Sequence, residues 1–157
     1  MIELYEGVPG SGKSYHAICE KFLPWVKQGR RLYIAVDGIY LDRLSLFTGI
    51  DLETLEQQIT IWKDSVEVLQ AFPHVEPGSA VIIDEAQTVF RSMQKVEPGL
   101  LRWLETHRHY GVDILLMSQD FRQMSQGVTR LIEATVKFRK LSFVGLSKKY
   151  QGKVRGN

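Results

Sequence analysis

A chain of 157 residues, 44% hydrophobic and 24% charged, is the size of one domain with enough apolar content for a packed core. Its longest apolar stretches, such as Ile114-Leu115-Leu116-Met117, fall far short of the roughly 20 residues that span a bilayer. Glu3 and Glu6 interrupt any basic-then-apolar leader, and a single cysteine, Cys19, precludes an internal disulfide framework and suits a reducing compartment. A membrane span, a secreted disulfide miniprotein and a collagen-like fibre are therefore excluded.

The net charge of +2 is unevenly spread. From Ala134 onward stand Lys137, Arg139, Lys140, Lys148, Lys149, Lys153 and Arg155 with no acidic residue, which leaves the first 133 residues acidic. Such asymmetry fits contact with nucleic acid or anionic lipid, and equally a solvated strand face with a frayed tail.

In chain order, Ile2 to Glu6 reads as a short strand stopping at Gly7. Ser14 to Val26 reads as a helix with Ile18, Phe22 and Val26 on one face, its last turn loosened by Pro24. Cys19, inside it, is expected to be a small buried hydrophobe. Arg31 to Val36 is a second apolar strand. Leu41 to Phe72 is less regular: Leu52 to Glu56 and Ser65 to Phe72 read as helical, and Ile59 to Trp62 as a strand. Ala80 to Ile83 is a continuous apolar run, the mark of a strand covered on both faces. Pro98 opens a helix carrying Leu100, Leu101 and Leu104, with Gly111 as its stop. Asp113 to Met117 is another buried strand, Gln123 to Ile132 a helix, and Thr135 to Leu141 a last strand. This alternation predicts an α/β fold, a three-layer arrangement in which helices flank a mainly parallel sheet, formed by residues 1 to 157 as a single domain.

Gly7-Val8-Pro9-Gly10-Ser11-Gly12-Lys13-Ser14 matches the phosphate-binding P-loop, G-x-x-x-x-G-K-[ST]. Average residue usage gives this match by chance in about one chain in 200 of this length, and the strand before it and the helix after it are the required context. The glycines let successive N–H groups converge on a phosphate, and the helix start adds its positive dipole end. Lys13 is placed to reach the β- and γ-phosphates of ATP, and Ser14 to ligate Mg²⁺. Tyr15 completes the expected nucleotide-binding stretch.

Asp84-Glu85 follows the apolar strand at the edge where ligands of open α/β sheets bind. Asp84 is the expected magnesium holder and Glu85 the expected base that polarises the attacking water. Ser118-Gln119 ends a neighbouring strand, where Gln119 would sense the γ-phosphate. His107 and His109 stand at i and i+2 and point apart on a helix, so they make a poor shared metal site. His107 falls on the face of Leu100 and Leu104 and reads as a core histidine.

Together the P-loop, Ile83-Asp84-Glu85-Ala86-Gln87 with Phe90-Arg91, His107-Arg108-His109-Tyr110-Gly111-Val112-Asp113-Ile114 and Ser118-Gln119 resemble the zonula occludens toxin (Zot) family, which includes the gene I assembly proteins of filamentous phages. The resemblance runs from Met1 to about Lys140. It implies a Mg²⁺-dependent ATPase of the P-loop class, driving virion extrusion from the cytoplasmic face of the bacterial inner membrane. It also implies a homo-oligomeric ring, contacts with phage or inner-membrane assembly proteins, and a basic end touching anionic lipid or phage DNA. Family members usually continue into a membrane helix and a periplasmic segment, which these 157 residues lack. Arg108 and Arg130 are the candidates for γ-phosphate contact across a subunit boundary, and Arg91 or Arg108 could instead fold back within one chain. Two other readings stand beside the motor ATPase: a nucleotide-dependent scaffold or toxin-like binding module without turnover, and a small P-loop kinase with Arg122 to Arg130 as its lid.

Overall fold

A computed structural model describes residues 1–140 and 150–156. Among these, seven strands form one sheet in the order β3-β2-β4-β5-β1-β6-β7, with β1 at Ile2–Glu6, β2 at Leu32–Ala35, β3 at Ile59–Ile61, β4 at Ala80–Ile83, β5 at Asp113–Ser118, β6 at Ala134–Lys140 and β7 at Tyr150–Gly156. β1 to β6 are mutually parallel and β7 runs antiparallel to β6. The expected α/β architecture, a mainly parallel sheet between two helical layers, is what forms.

Each central strand alternates its side chains between two cores. Val81, Ile83, Ile114 and Leu116 join Ile2 and Leu4 on one face, under the helices α5 (Ser65–Ala71), α6 (Ala86–Val89), α7 (Pro98–Thr106) and α8 (Gln126–Thr129). Ala80, Ile82, Leu115 and Met117 join Tyr5, Leu32 and Ile34 on the other, under α1 (Lys13–Ala17), α2 (Leu23–Lys27), α3 (Leu41–Thr48) and α4 (Leu52–Gln58). Ala80 to Ile83 are all at most 2% exposed. Full burial of each larger aliphatic side chain contributes about 1.5–3 kcal/mol, so this strand is fixed by packing on both sides.

Several expectations are corrected. The helix after the P-loop is interrupted by a π-helical turn at Ile18–Phe22. Pro24, in the first turn of α2, has no N–H and its ring crowds the preceding turn, so the helix widens there. Cys19 lies in that turn and is half-buried rather than buried. α3 was not legible as a helix, because its side chains Leu46 and Phe47 are exposed at 88% and 71% and blur the apolar periodicity. The helix expected over Gln123 to Ile132 shrinks to α8. Phe90 O accepts from Ser125 N at 2.7 Å, and Glu133 N donates to Ile2 O at 2.9 Å; both ends are tied to other elements before a longer helix can form. The frayed-tail alternative for the basic end gives way to β7, paired with β6 from Ala134↔Gly156 to Lys140↔Tyr150. Lys148 and Lys149 lie outside the described residues. Among the described residues no helix is long and apolar enough to cross a membrane.

Candidate nucleotide site

Because β1, β4 and β5 are parallel and adjacent, the segments after Glu6, Ile83 and Ser118 emerge at one edge of the sheet. The loop after β1 is stitched to that edge by Gly7 N, which donates to Ser118 O at 3.1 Å. A Cβ at Gly7 would meet Phe138 O at 2.6 Å and Ser11 Oγ at 2.8 Å, so only glycine lets β6 approach this closely. Gly12 adopts φ 94°, ψ 4° at the cap of α1, a left-handed conformation that turns the loop into the helix without strain. Ser11 and Lys13 are buried within the loop.

Lys13 Nζ donates to Gly7 O at 2.5 Å and to Val8 O at 3.4 Å. Burial holds its pKa below the ordinary lysine value, and the Asp84 and Glu85 carboxylates oppose that shift. The lysine is thus a desolvated cation folded over the loop's carbonyls and facing two carboxylates. Ser14 Oγ donates to Asp84 Oδ2 at 3.1 Å, and the other Asp84 oxygen accepts from Glu85 N at 2.8 Å. A hydroxyl and a carboxylate at this spacing suit Mg²⁺, which keeps several waters and takes few protein ligands.

Glu85 stands at φ 48° and, among the described residues, is the non-glycine with positive φ. A left-handed glutamate costs of order 1 kcal/mol, and its neighbours hold it there. Thr88 N and Oγ1 both donate to Glu85 O, at 2.7 and 2.9 Å. Its carboxylate accepts from Gln87 Nε2 and lies 3.3 Å from Gln119 Nε2 at both oxygens. A cavity of about 330 Å³ opens beside Asp84 and Glu85, bounded by Asp37, Trp62, Asp64 and Thr88.

The structure therefore gathers Gly7 to Ser14, Asp84, Glu85 and Gln119 at one edge. Tyr15, in the first turn of α1, is two-thirds exposed. Arg108 and Arg130 are not part of this cluster. They precede β5 and β6, at the opposite, amino-terminal edge, and Arg108 is paired there with Glu133. The alternative in which Arg108 folds back onto its own P-loop is excluded by that placement. Arg91 follows α6, bridges Met124 and donates through Nε to Thr88 O at 3.3 Å. His107 is buried as expected, its Nδ1–H donating to Leu104 O at 2.6 Å.

Two participants escaped the sequence reading. Gln87 was legible only as part of a motif, since nothing local shows that its amide turns back onto Glu85. Lys140 was counted among surface charges, yet a Cβ on Gly10 would meet its Nζ at 3.2 Å; only the β1–β6 pairing brings the two together.

A family model described as Zonular occludens toxin (Zot) matches residues 1–155. The chain is 27% identical over 164 residues to the Gene 1 protein of Xanthomonas phage phiLf, covering 96% of this chain and 37% of that protein. It spans between 36% and 42% of the length of the curated relatives it matches. Among solved structures, the N-terminal domain of zonular occludens toxin from Neisseria meningitidis superposes with a TM-score of 0.61 at 19% identity, covering 98% of this chain and 92% of that one. The genome packaging NTPase B204 from Sulfolobus turreted icosahedral virus 2, in complex with ATP-gammaS, superposes at 0.64 and 20% identity, covering 94% of this chain and 81% of that one. At these identities the structural likeness is one of fold, that of a P-loop NTPase.

Proposed function

We propose, from the premise that this chain belongs to the zonular occludens toxin (Zot) family, that it is the ATP-hydrolysing motor domain of a filamentous-phage assembly protein. The observation that carries the reading is the convergence of Lys13, Ser14, Asp84, Glu85 and Gln119 on one sheet edge. Backbone N–H groups of Gly10 to Ser14 bind the phosphates of ATP, with the start of α1 behind them. Mg²⁺ bound at Ser14 and Asp84 would neutralise charge on the β- and γ-phosphates.

Turnover proceeds by in-line attack of water on the γ-phosphorus. Glu85 accepts the water's proton as the new P–O bond forms and the bond to the bridging β,γ-oxygen breaks, releasing ADP and inorganic phosphate. Lys13 moves from the Gly7 carbonyl to the phosphate oxygens as nucleotide enters. Gln119, now resting on Glu85, orients the water or the γ-phosphate. The strained Glu85 backbone and its amide partners pre-set the direction of the base before nucleotide arrives.

The domain works at the cytoplasmic face of the bacterial inner membrane as a homo-oligomeric ring, during virion extrusion. Its basic end, the cluster of Lys148, Lys149, Lys153 and Arg155, meets anionic headgroups in preference to phage DNA. Each basic residue near such a surface contributes about 1 kcal/mol. Phosphate release by purified protein with Mg²⁺-ATP, alone and with single-stranded DNA, tests the motor reading, and an absence of turnover in assembled protein overturns it. Flotation with anionic against neutral liposomes, beside DNA retention at equal salt, tests the preference for lipid.

A further inference from the structure

We propose that Lys140 is a second phosphate-binding cation of this site, reaching the nucleotide from the side of the P-loop opposite Asp84. The inference rests on the nucleotide-binding reading above and adds a ligand contact to it.

The sheet order supplies the placement. β4 and β5 lie to one side of β1 and bring Asp84, Glu85 and Gln119 to the edge, while β6 lies on the other side. The carboxyl end of β6 walls the loop closely. Phe138 O would lie 2.6 Å from a Cβ at Gly7, and the Phe138 ring packs on Tyr5 and His16 with centroids 5.2 and 5.3 Å apart. Two residues further on, Lys140 comes over the loop's outer turn. Its Cε and Nζ would each stand 3.2 Å from a Cβ at Gly10, which adopts φ 69°.

Lys140 lacks the ion pairs that neutralise several neighbouring cations. Lys137 is paired with Glu6 at 2.8 Å, Arg122 with Asp120 at 2.7 Å, and Arg108 with Glu133. Among the described residues no carboxylate pairs with Lys140. An unneutralised ammonium held against the turn of a phosphate-binding loop raises the local positive potential where a polyanion binds. A triphosphate at this loop would otherwise meet one cis lysine, Lys13, set against two carboxylates. Lys140 is exposed, so it contributes little to the core, and its long stem lets the ammonium follow the ligand.

The test is ATP and ADP binding by calorimetry to wild type, Lys140→Ala, Lys140→Arg, Lys13→Ala and Lys153→Ala, each checked for an unchanged melting transition. Lys153 is an exposed lysine of the adjoining strand, opposite Lys137, and controls for loss of one general positive charge. Lys140→Ala should weaken both nucleotides about tenfold, the scale of one charge-assisted contact, with Lys140→Arg restoring most of it and Lys153→Ala near wild type. Binding by Lys140→Ala equal to wild type, or an equal loss in Lys153→Ala, overturns the contact while Lys13→Ala still reports an intact P-loop site. A wild type that binds neither nucleotide overturns the nucleotide reading and this inference together.

Discussion

Ser14 Oγ donates to Asp84 Oδ2 across 3.1 Å, joining two residues 70 positions apart in the chain. The contact exists because β5 separates β1 from β4 by a single strand, so the P-loop and the Asp84 turn face each other over the end of β5. In the proposed ATPase, metal chemistry and proton chemistry would fall to neighbouring residues of one turn, with Asp84 toward Ser14 and Glu85 toward Gln87 and Gln119.

That division predicts a separation in mutants. Glu85→Gln should retain ATP binding and lose hydrolysis by roughly 10²–10⁴-fold, the usual worth of a positioned base. Asp84→Asn should instead reduce the dependence of ATP affinity on Mg²⁺ concentration. Single-turnover phosphate release and magnesium titrations read the two effects independently. Normal turnover by Glu85→Gln would remove the water-activating role from this residue.

At the opposite edge the fold is fastened by one arginine. Arg30 donates from Nε to Gly78 O and from Nη2 to Ser79 O, each at 2.8 Å, and from Nη2 to Gly111 O at 3.2 Å. Its Nη1 is 2.8 Å from Asp113, which also pairs with the N-terminal ammonium. Arg30→Ala leaves three loop carbonyls short of a donor and should cost roughly 1–3 kcal/mol, the partial exposure of the cluster limiting the loss. Arg30→Lys should recover little, since one ammonium lacks the planar fork that spans these acceptors. Urea unfolding measures both, and ATP affinity should stay unchanged because the nucleotide edge is untouched.

The site's parallel-strand frame was legible because its strands are short apolar runs ended by glycine or carboxylate, as at Ile83-Asp84 and Glu6-Gly7. The P-loop was legible as a contiguous motif whose chemistry is backbone geometry. What stayed hidden depends on distant pairing. Gln119 was expected at this edge, but its contact with Glu85 was not, and Lys140 comes beside Gly10 only through the β6 register. The fold-back alternative for Arg108 stayed open in the sequence for the same reason, since only the strand order puts this arginine at the edge away from its own P-loop. α3 and the π turn escaped because exposed Leu46 and Phe47 obscure one and Pro24 reshapes the other.

Burial also sets a pH dependence. The His107 imidazole is only 3% exposed, and burial lowers its pKa, against opposing effects of the Leu104 carbonyl and Glu133. The unfolded chain, titrating near 6.5, then binds a proton more readily than the fold does. Stability from this residue is complete above about pH 6.5, falls as pH drops through that value, and levels off below the folded pKa. Denaturant midpoints measured between pH 7.5 and 5 should decline in wild type and decline less in His107→Gln. Identical slopes would show that His107 carries no linkage.

The remaining question is where the cation that meets the γ-phosphate's developing charge comes from. Arg108 and Arg130 lie at the amino-terminal edge, away from their own P-loop, so either could serve only a neighbouring subunit's site. Arg108 is already neutralised by Glu133, whereas among the described residues no carboxylate pairs with Arg130, which is exposed at the turn before β6. A head-to-tail contact that sets one subunit's amino-terminal edge over the next one's P-loop would deliver Arg130, and such heterologous contacts form a ring where the rotation between subunits closes. An arginine supplied in trans contributes on the order of 10³–10⁵ in rate in related P-loop enzymes. Specific ATPase activity should therefore rise more than linearly with protein concentration, or on fusion to a hexamerising partner. Arg130→Ala should abolish that rise while leaving ATP binding intact. Arg108→Ala should loosen the Glu133 contact and affect turnover less. Activity per subunit that stays flat from nanomolar to high micromolar, in protein seen by sedimentation to assemble over that range, would exclude a shared site and leave Lys13 and Lys140 as the cations of a self-contained one.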